Sequence, residues 1–306
     1  MGYPISLVSL HDQARMTCRL CGDERMMSVR DLSCEEIKNV VHRALAEDVG
    51  DGDITTSAIV PEVSTSTARV VFREAGIMAG LAVAREVFAQ LDHEAELDST
   101  LVDGSLVEAG ETVAMVSAST RALLTGERVA LNFLQRLSGI ATITRAYVHA
   151  VAGTGVRILD TRKTTPTVRM LEKYAVCIGG GVNHRYGLYD AVLIKDNHIA
   201  AAGGLSTAVM RVRGASPPGT VIQVEVESTG EVPIAVAAGA DALLLDNMTP
   251  ESVAQSVAIA GRNIRVEASG GITLVNVRAF AETGVDDISI GALTHSAPAL
   301  DIGLDM

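Results

Sequence analysis

Apolar positions along the chain follow two rhythms that change over near residue 150. Ile37, Val40, Val41, Ala44 and Leu45 recur at three- and four-residue intervals, which predicts an amphipathic helix. Ser33-Cys34-Glu35-Glu36 precedes it as a capping box, with a hydroxyl and a carboxylate three residues apart. The acidic, glycine-bearing run from Glu47 to Asp53 stops it. Short β-rich pieces at Ala68–Phe72 and Gly110–Ser117 then flank a helix near Val83–Leu91, which predicts a small α+β layer. From about 121 to 150, Leu123, Leu124, Val129, Leu131, Leu134 and Leu137 predict one long helix, eased by Gly139.

After it come six short β-like runs: Val156–Leu159, Ala191–Ile194, Val221–Val226, Ala242–Leu245, Ile264–Val266 and Asp287–Ile290. Helix-length stretches rich in Ala and Val separate most of them. Two approaches repeat, Ala238-Gly239-Ala240-Asp241 and Thr283-Gly284-Val285-Asp286. Alternating strand and helix implies a parallel sheet. Each run has an apolar body and a polar or glycine end, the pattern of an α/β barrel with chemistry at the C-terminal strand ends. An open doubly wound sheet is the alternative, but no Gly-x-Gly-x-x-Gly follows the first strand.

Composition narrows the function. Apolar residues make up 48% of the 306, enough for a large core, and charged residues 20%. A net charge of −12 with no Trp and only nine Phe and Tyr argues against nucleic acid and anionic membrane surfaces as partners. No apolar run reaches membrane-spanning length. No secretory signal is visible, and Gly2 with Ser6 matches the myristoylation pattern only loosely. Four cysteines, Cys18, Cys21, Cys34 and Cys177, make no disulfide framework, so a cytoplasmic location is expected. Cys18 and Cys21, even with His11 and Cys34, fall short of the two couples that zinc sites use. Residues 1–31 lack periodicity and are expected to form a disordered extension.

Candidate chemistry sits at the strand ends. These are Asp160-Thr161-Arg162-Lys163, Lys195-Asp196-Asn197-His198, Glu225, Asp246-Asn247, Ser269-Gly270-Gly271 and Gly291, with Asn183-His184-Arg185 in a loop between the first two. Arg162, Lys163, His184, Arg185 and Lys195 around one mouth predict an anion site, since arginine forks carboxylate and lysine suits phosphate. Surface salt bridges to Asp160, Asp190 and Asp196 are the blander alternative, better suited to one such residue than to five. Ser269-Gly270-Gly271 and Gly291 follow the last two strands, where glycine lets backbone N–H groups approach a phosphate. Glu225 and Asp246 add hard oxygens for ribose hydroxyls, or for Mg²⁺ arriving with a polyphosphate. A structural ion pair is their alternative. Lys195 could instead form a Schiff base, as in barrel aldolases, although the arginines around it favour anion binding. Cys177, amid Ala, Val, Ile and Gly, reads as a buried inert thiol. Asp51, Asp53 and Glu62 make no calcium loop, because Thr56 stands where the turn glycine is needed.

These residues carry a resemblance. Thr161-Arg162-Lys163-Thr164-Thr165-Pro166, Gly179-Gly180-Gly181-Val182-Asn183-His184-Arg185, Leu193-Ile194-Lys195-Asp196-Asn197-His198 and Leu244-Leu245-Asp246-Asn247 are similar to motifs of the quinolinate phosphoribosyltransferases. Glu127-Arg128, Asn132, Gln135-Arg136, Ser138-Gly139 and the run Glu47–Asp53 fit as well, so the likeness covers about residues 32 to 306.

The resemblance implies an N-terminal α/β sandwich of residues 32–138 plus 296–306, and an incomplete seven-stranded α/β barrel of residues 139–295. It implies conversion of quinolinate and phosphoribosyl pyrophosphate to nicotinate mononucleotide, pyrophosphate and CO₂, with Mg²⁺, in NAD biosynthesis. Thr161, Arg162, His184 and Arg185 would bind quinolinate, with Arg128 reaching in from the partner of a homodimer. Lys163 and Lys195 would stand over quinolinate and pyrophosphate as catalytic residues. Glu225 and Asp246, catalytic as well, would hold ribose and metal, and Ser269, Gly270, Gly271, Gly291 and His295 the 5′-phosphate. A relative acting on a pyridine monocarboxylate, the molybdenum-transport-associated branch, and a catalytically silent anion-binding barrel are the alternatives.

Overall fold

The computed structural model describes residues 32–306. Gly2, Ser6, His11, the Cys18–Cys21 pair and the expected extension 1–31 lie outside the described residues. No helix among the described residues is long and apolar enough to cross a membrane.

The first layer contains α1 (Cys34–Val49), α2 (Ile54–Ile59), β1 (Thr65–Phe72), β2 (Gly76–Ile77), α3 (Leu81–Leu91), β3 (Glu96–Asp98), β4 (Leu106–Val107), β5 (Thr112–Ser119) and α4 (Thr120–Ala150). Ser33 Oγ accepts the Glu36 N–H at 3.1 Å and starts α1. Asp53 does the same for α2, accepting the Thr56 N–H at 2.9 Å, so the acidic run is a turn and a helix cap. Ala68, Val70 and Phe72 on β1 share a face with Val116 and Ala114 on β5. That face is buried in the core with Phe88, Leu123 and Leu134 of α3 and α4.

The remaining elements are β6 (Arg157–Leu159), α5 (Arg169–Ile178), β7 (Val192–Ile194), α6 (Asp196–Ala202), α7 (Leu205–Ala215), β8 (Ile222–Val226), α8 (Val232–Ala237), β9 (Ala242–Asp246), α9 (Pro250–Ala260), β10 (Arg265–Ser269), α10 (Val277–Ala281), β11 (Asp287–Ser289), α11 (Ala292–His295) and β12 (Ile302–Asp305). Six of these strands form one parallel sheet in the order β6-β11-β10-β9-β8-β7. The seventh strand of the expected barrel is reduced to a single bridge between Val182 and Leu159. Three glycines precede Val182, and Asn183 and His184 turn away to bond Asp160, so one residue is all that can pair. β12 returns to the first layer and pairs antiparallel with β1, completing the order β12-β1-β5-β3. On its way the tail presses against α4 so closely that a Cβ on Gly139 would sit 1.9 Å from Pro298 O.

The repeated approaches have one job. Asp241 accepts the Ile222 N–H at 2.7 Å, and Asp286 accepts the Val266 N–H at 2.8 Å. Each aspartate thereby ties the start of the neighbouring strand to the turn that feeds its own. The sheet's two faces differ sharply. Ile158, Ile194, Ile222, Val224, Leu243, Val266 and Ile288 are buried and lie on one face by strand alternation. The register places Arg157, Asp287, Glu267, Leu244 and Glu225 on the other face, which is the barrel interior.

Candidate active site

The barrel interior is polar from floor to mouth. At the floor Asp287, wholly buried, receives Arg157 Nε at 2.7 Å and Nη2 at 3.1 Å. Arg265 Nε at 2.5 Å and Nη2 at 2.8 Å reach the same carboxylate. One tier up, Glu267 accepts Gln223 Nε2 at 2.8 Å and lies 3.3 Å from His184 Nε2. Burial pulls the His184 imidazole toward neutrality, but the Glu267 carboxylate outweighs it and holds the ring above the ordinary histidine value. Burial raises Glu267, and His184 more than offsets this, leaving the carboxyl below its usual range.

His184 and Arg185 are placed by a buried knot behind them. Asp160 accepts the His184 N–H at 2.8 Å and the Asn183 amide at 2.5 Å, and Lys173 pairs with the same carboxylate. Asp190 is occupied too, accepting the Tyr186 N–H at 2.5 Å and the Gly187 N–H at 2.8 Å. The hydrogen bonds of both aspartates go to backbone N–H groups, Asn183 and Lys173 rather than to Arg162, Lys163 or Lys195. Cys177 is half-buried rather than buried, and its thiol donates to Asn183 Oδ1 at 3.3 Å.

At the mouth, Arg162 keeps a buried Nε with no hydrogen-bond partner among the described residues. It stands close enough to Arg185 that, after burial, its charge is the main influence lowering the Arg185 pKa; Asp190 and Glu225 oppose it. Thr161 Oγ1 accepts the Lys163 N–H at 3.0 Å and shapes this loop. Lys195 forms an ion pair with Glu225 across adjacent strands. Asp246 lies in register with Ser269 and accepts the Asn247 amide at 2.7 Å. Asn247 takes the left-handed conformation with φ 55° and packs so tightly that a Cβ on Gly270 would lie 2.2 Å from its Oδ1. Gly271 is left-handed as well, with φ 64°. Lys163 and His295 meet over Gly291, where an added Cβ would come within 3.0 Å and 3.1 Å of them. The mouth therefore has a guanidinium-rich side and a glycine-rich side with carboxylates between them. That is a receptacle for a substrate with separated anionic ends.

Arg128 is not among these groups. It lies on α4 with its side chain 58% exposed and pairs with Glu127 at a long 3.8 Å. Glu267, Glu172 and Lys173 support the site without having been singled out from the sequence. Their signal was a charge at a position that periodicity assigns to the core, since a buried charge has to find a partner. No group of three or more His, Cys, Asp and Glu suited to a metal occurs among the described residues. Glu225 and Asp246 offer two hard carboxylates on neighbouring strands, which fits a Mg²⁺ that takes its other oxygens from a phosphate ligand.

Family models for the N-terminal and C-terminal domains of quinolinate phosphoribosyl transferase match residues 53–138 and 140–305. A probable carboxylating nicotinate-nucleotide pyrophosphorylase of Bacillus subtilis is 46% identical over 271 residues, 89% of this chain and 93% of that protein. The carboxylating nicotinate-nucleotide pyrophosphorylase of Mycobacterium leprae is 45% identical over 287 residues, 90% and 99% of the two chains. The crystal structure of NadC from Streptococcus pyogenes superposes with a TM-score of 0.86 at 42% identity, covering 90% of this chain and 98% of that one. With both halves matched in order and the polar barrel mouth intact, the chain belongs to the quinolinate phosphoribosyltransferase family.

Proposed function

We propose that the chain transfers the phosphoribosyl group of phosphoribosyl pyrophosphate to quinolinate. The products are nicotinate mononucleotide, pyrophosphate and CO₂, the carboxylating nicotinate-nucleotide pyrophosphorylase step of NAD biosynthesis. The observation that carries this reading is the buried Arg162 Nε, without a hydrogen-bond partner among the described residues, at the same mouth as the Lys163–Gly291–His295 corner. Arg162, Arg185 and His184 hold the two carboxylates, with Thr161 setting the loop. Ser269, Gly270, Gly271, Gly291 and His295 receive the 5′-phosphate. Lys163 and Lys195 stabilise the leaving pyrophosphate, and Glu225 and Asp246 stabilise positive charge at the ribose carbon as its bond to pyrophosphate lengthens. Mg²⁺, held by Glu225 and Asp246 when bound, neutralises the diphosphate. Once the pyridine nitrogen is alkylated, its positive charge stabilises the electron pair left on the adjacent ring carbon when the C–CO₂ bond breaks, and that carbon then takes a proton from water. The chain's contribution is alignment and fixed charge. Its four cysteines, which make no disulfide framework, suit a cytoplasmic enzyme.

Quinolinate, phosphoribosyl pyrophosphate and Mg²⁺ with purified protein should yield CO₂ and nicotinate mononucleotide in equal amounts. Nicotinate should turn over far more slowly. Comparable kcat/KM for the two acids would reassign the chain to a monocarboxylate.

The active site is shared between two chains. Among the described residues Arg128 meets no carboxylate beyond a loose contact with Glu127. Ile54, Ile59 and Val63 on the first layer and Leu188 and Tyr189 next to the barrel are among the exposed apolar residues, available to an interface between two chains. Arg128→Ala and Lys195→Ala dimers should each be nearly inactive. Co-expression should restore activity at one of the two sites of a mixed dimer. Mixed dimers as dead as their parents would exclude the shared site.

A further inference from the structure

Two consecutive charged residues of α5 are buried, Glu172 at 1% exposure and Lys173 at 0%. They grip opposite ends of the loop that carries Arg162 and Lys163. Lys173 holds the beginning through Asp160 and also donates to His184 O at 2.9 Å. Glu172 holds the end, accepting the Thr165 N–H at 2.9 Å and the Thr165 hydroxyl at 2.8 Å. The charge of Glu172 is met from the first layer. Arg136 on α4 donates to it from Nε at 3.0 Å and from Nη2 at 2.8 Å.

Arg136 does more than neutralise. Its Nη1 donates to Ala297 O at 3.0 Å, and Nη2 also donates to Thr294 O. Thr294 in turn donates its hydroxyl to Lys163 O at 2.8 Å. A closed circuit therefore runs from Arg136 through Glu172 and Thr165 to Lys163, and back through Thr294. Lys163 and the Gly291–His295 turn meet inside it.

We propose that Arg136 is a positioning residue that fixes the spacing between Lys163 and the Gly291–His295 turn. It thereby sets affinity for the diphosphate-bearing substrate rather than for the pyridine dicarboxylate. Arg136 makes four hydrogen bonds from three separated nitrogens of a rigid fork; lysine has three donors on a single atom and cannot span the carboxylate and both carbonyls in that geometry. The other end of the loop has its own anchor in Asp160 and Lys173, so slack at Thr165 leaves Arg162 and Arg185 in place. The proposal rests on the roles given above to Lys163 and His295.

The test is steady-state kinetics on the full-length enzyme, varying each substrate separately. Arg136→Lys should raise the KM for phosphoribosyl pyrophosphate about tenfold, the scale of one lost charge-assisted hydrogen bond. The KM for quinolinate should stay within about twofold. Thr165→Val removes one hydroxyl bond and keeps the fold, so it should give the same split at about two- to threefold. A cavity of about 310 Å³ lined by Arg136, Glu172 and Thr165 adjoins the pair, so millimolar guanidinium should restore donor affinity to Arg136→Ala. A parallel rise in both KM values, or an unchanged KM for the donor, would overturn the proposal. Lys163→Ala separates the two levels of inference. If it leaves the donor KM unchanged, the assignment of the site is wrong. If it raises that KM while Arg136→Lys does not, only the brace is wrong.

Discussion

At the floor of the barrel Arg157 and Arg265 share one carboxylate through four hydrogen bonds, and Asp287 has no exposure to water. At the mouth Arg162 is near enough for its charge to lower the Arg185 pKa, and Arg162 Nε is buried without a partner among the described residues. The same residue type serves opposite ends because the accounting differs. The floor ties both guanidinium groups to a carboxylate within the chain. The mouth leaves a buried donor unsatisfied, a cost in stability that a bound dianion relieves. Conserving charge is a structural task at one end and a recognition task at the other.

The sharpest way to break this contrast is at the floor. Asp287→Ala leaves two guanidinium groups facing each other, and should lower the unfolding free energy by about 3 kcal/mol, near the lower end for a broken buried pair because both arginines retain some solvent. Urea denaturation measures it, and kcat of the folded fraction should be unchanged. A loss of activity with no loss of stability would put the floor on the functional side. Next in size is Arg162→Ala, which should lower kcat/KM by about 2 kcal/mol of transition-state stabilisation, roughly thirtyfold, while the melting temperature holds or rises. A matching drop in melting temperature would mean that the mouth is structural after all.

The smallest effect lies between floor and mouth. His184 has its pKa raised in the fold, so its contribution is full below the ordinary value of 6.5 and fades as pH climbs through the higher folded value. Glu267 is depressed, so its contribution is full above 4.5 and fades as pH falls through the lower folded value. The pair should support the fold best between those two ordinary values. Unfolding free energy should decline as pH rises above this range, and His184→Gln should flatten that decline.

Much of this was legible in the sequence, for reasons that differ by element. The six strands were visible because each has an apolar body and a polar end, and the long α4 because its leucines keep helical spacing. The strand written as Ile264–Val266 runs on as Arg265–Ser269. Its extension was hidden because Arg265, Glu267 and Ser269 face a polar interior, where alternation of apolar with charged residues mimics a solvent-facing surface. The mouth was readable from strand ends alone. The Asp160–Lys173 and Arg136–Glu172 pairs were not, because their members lie 13 and 36 residues apart and only tertiary packing brings them together. The one-residue seventh strand escaped for a related reason, since Val182 has a partner only once Leu159 is in place.

The route of the tail has a consequence for the order of events during synthesis. β12 lines the edge of β1, Gln135 Nε2 donates to Ile302 O at 2.8 Å, and Arg73 pairs with Asp305. The first sheet of the molecule therefore lacks an edge strand until β12 leaves the ribosome. At about 5–20 residues per second, roughly 10–30 s pass between the appearance of Gly139 and that of β12. Through that interval the nascent first layer offers an open, partly apolar strand edge, the kind of surface that recruits chaperones or neighbouring nascent chains. The barrel, synthesised second, is thus complete before the layer that precedes it, and a ribosome stalled near the end would hold a finished barrel attached to an unfinished sheet.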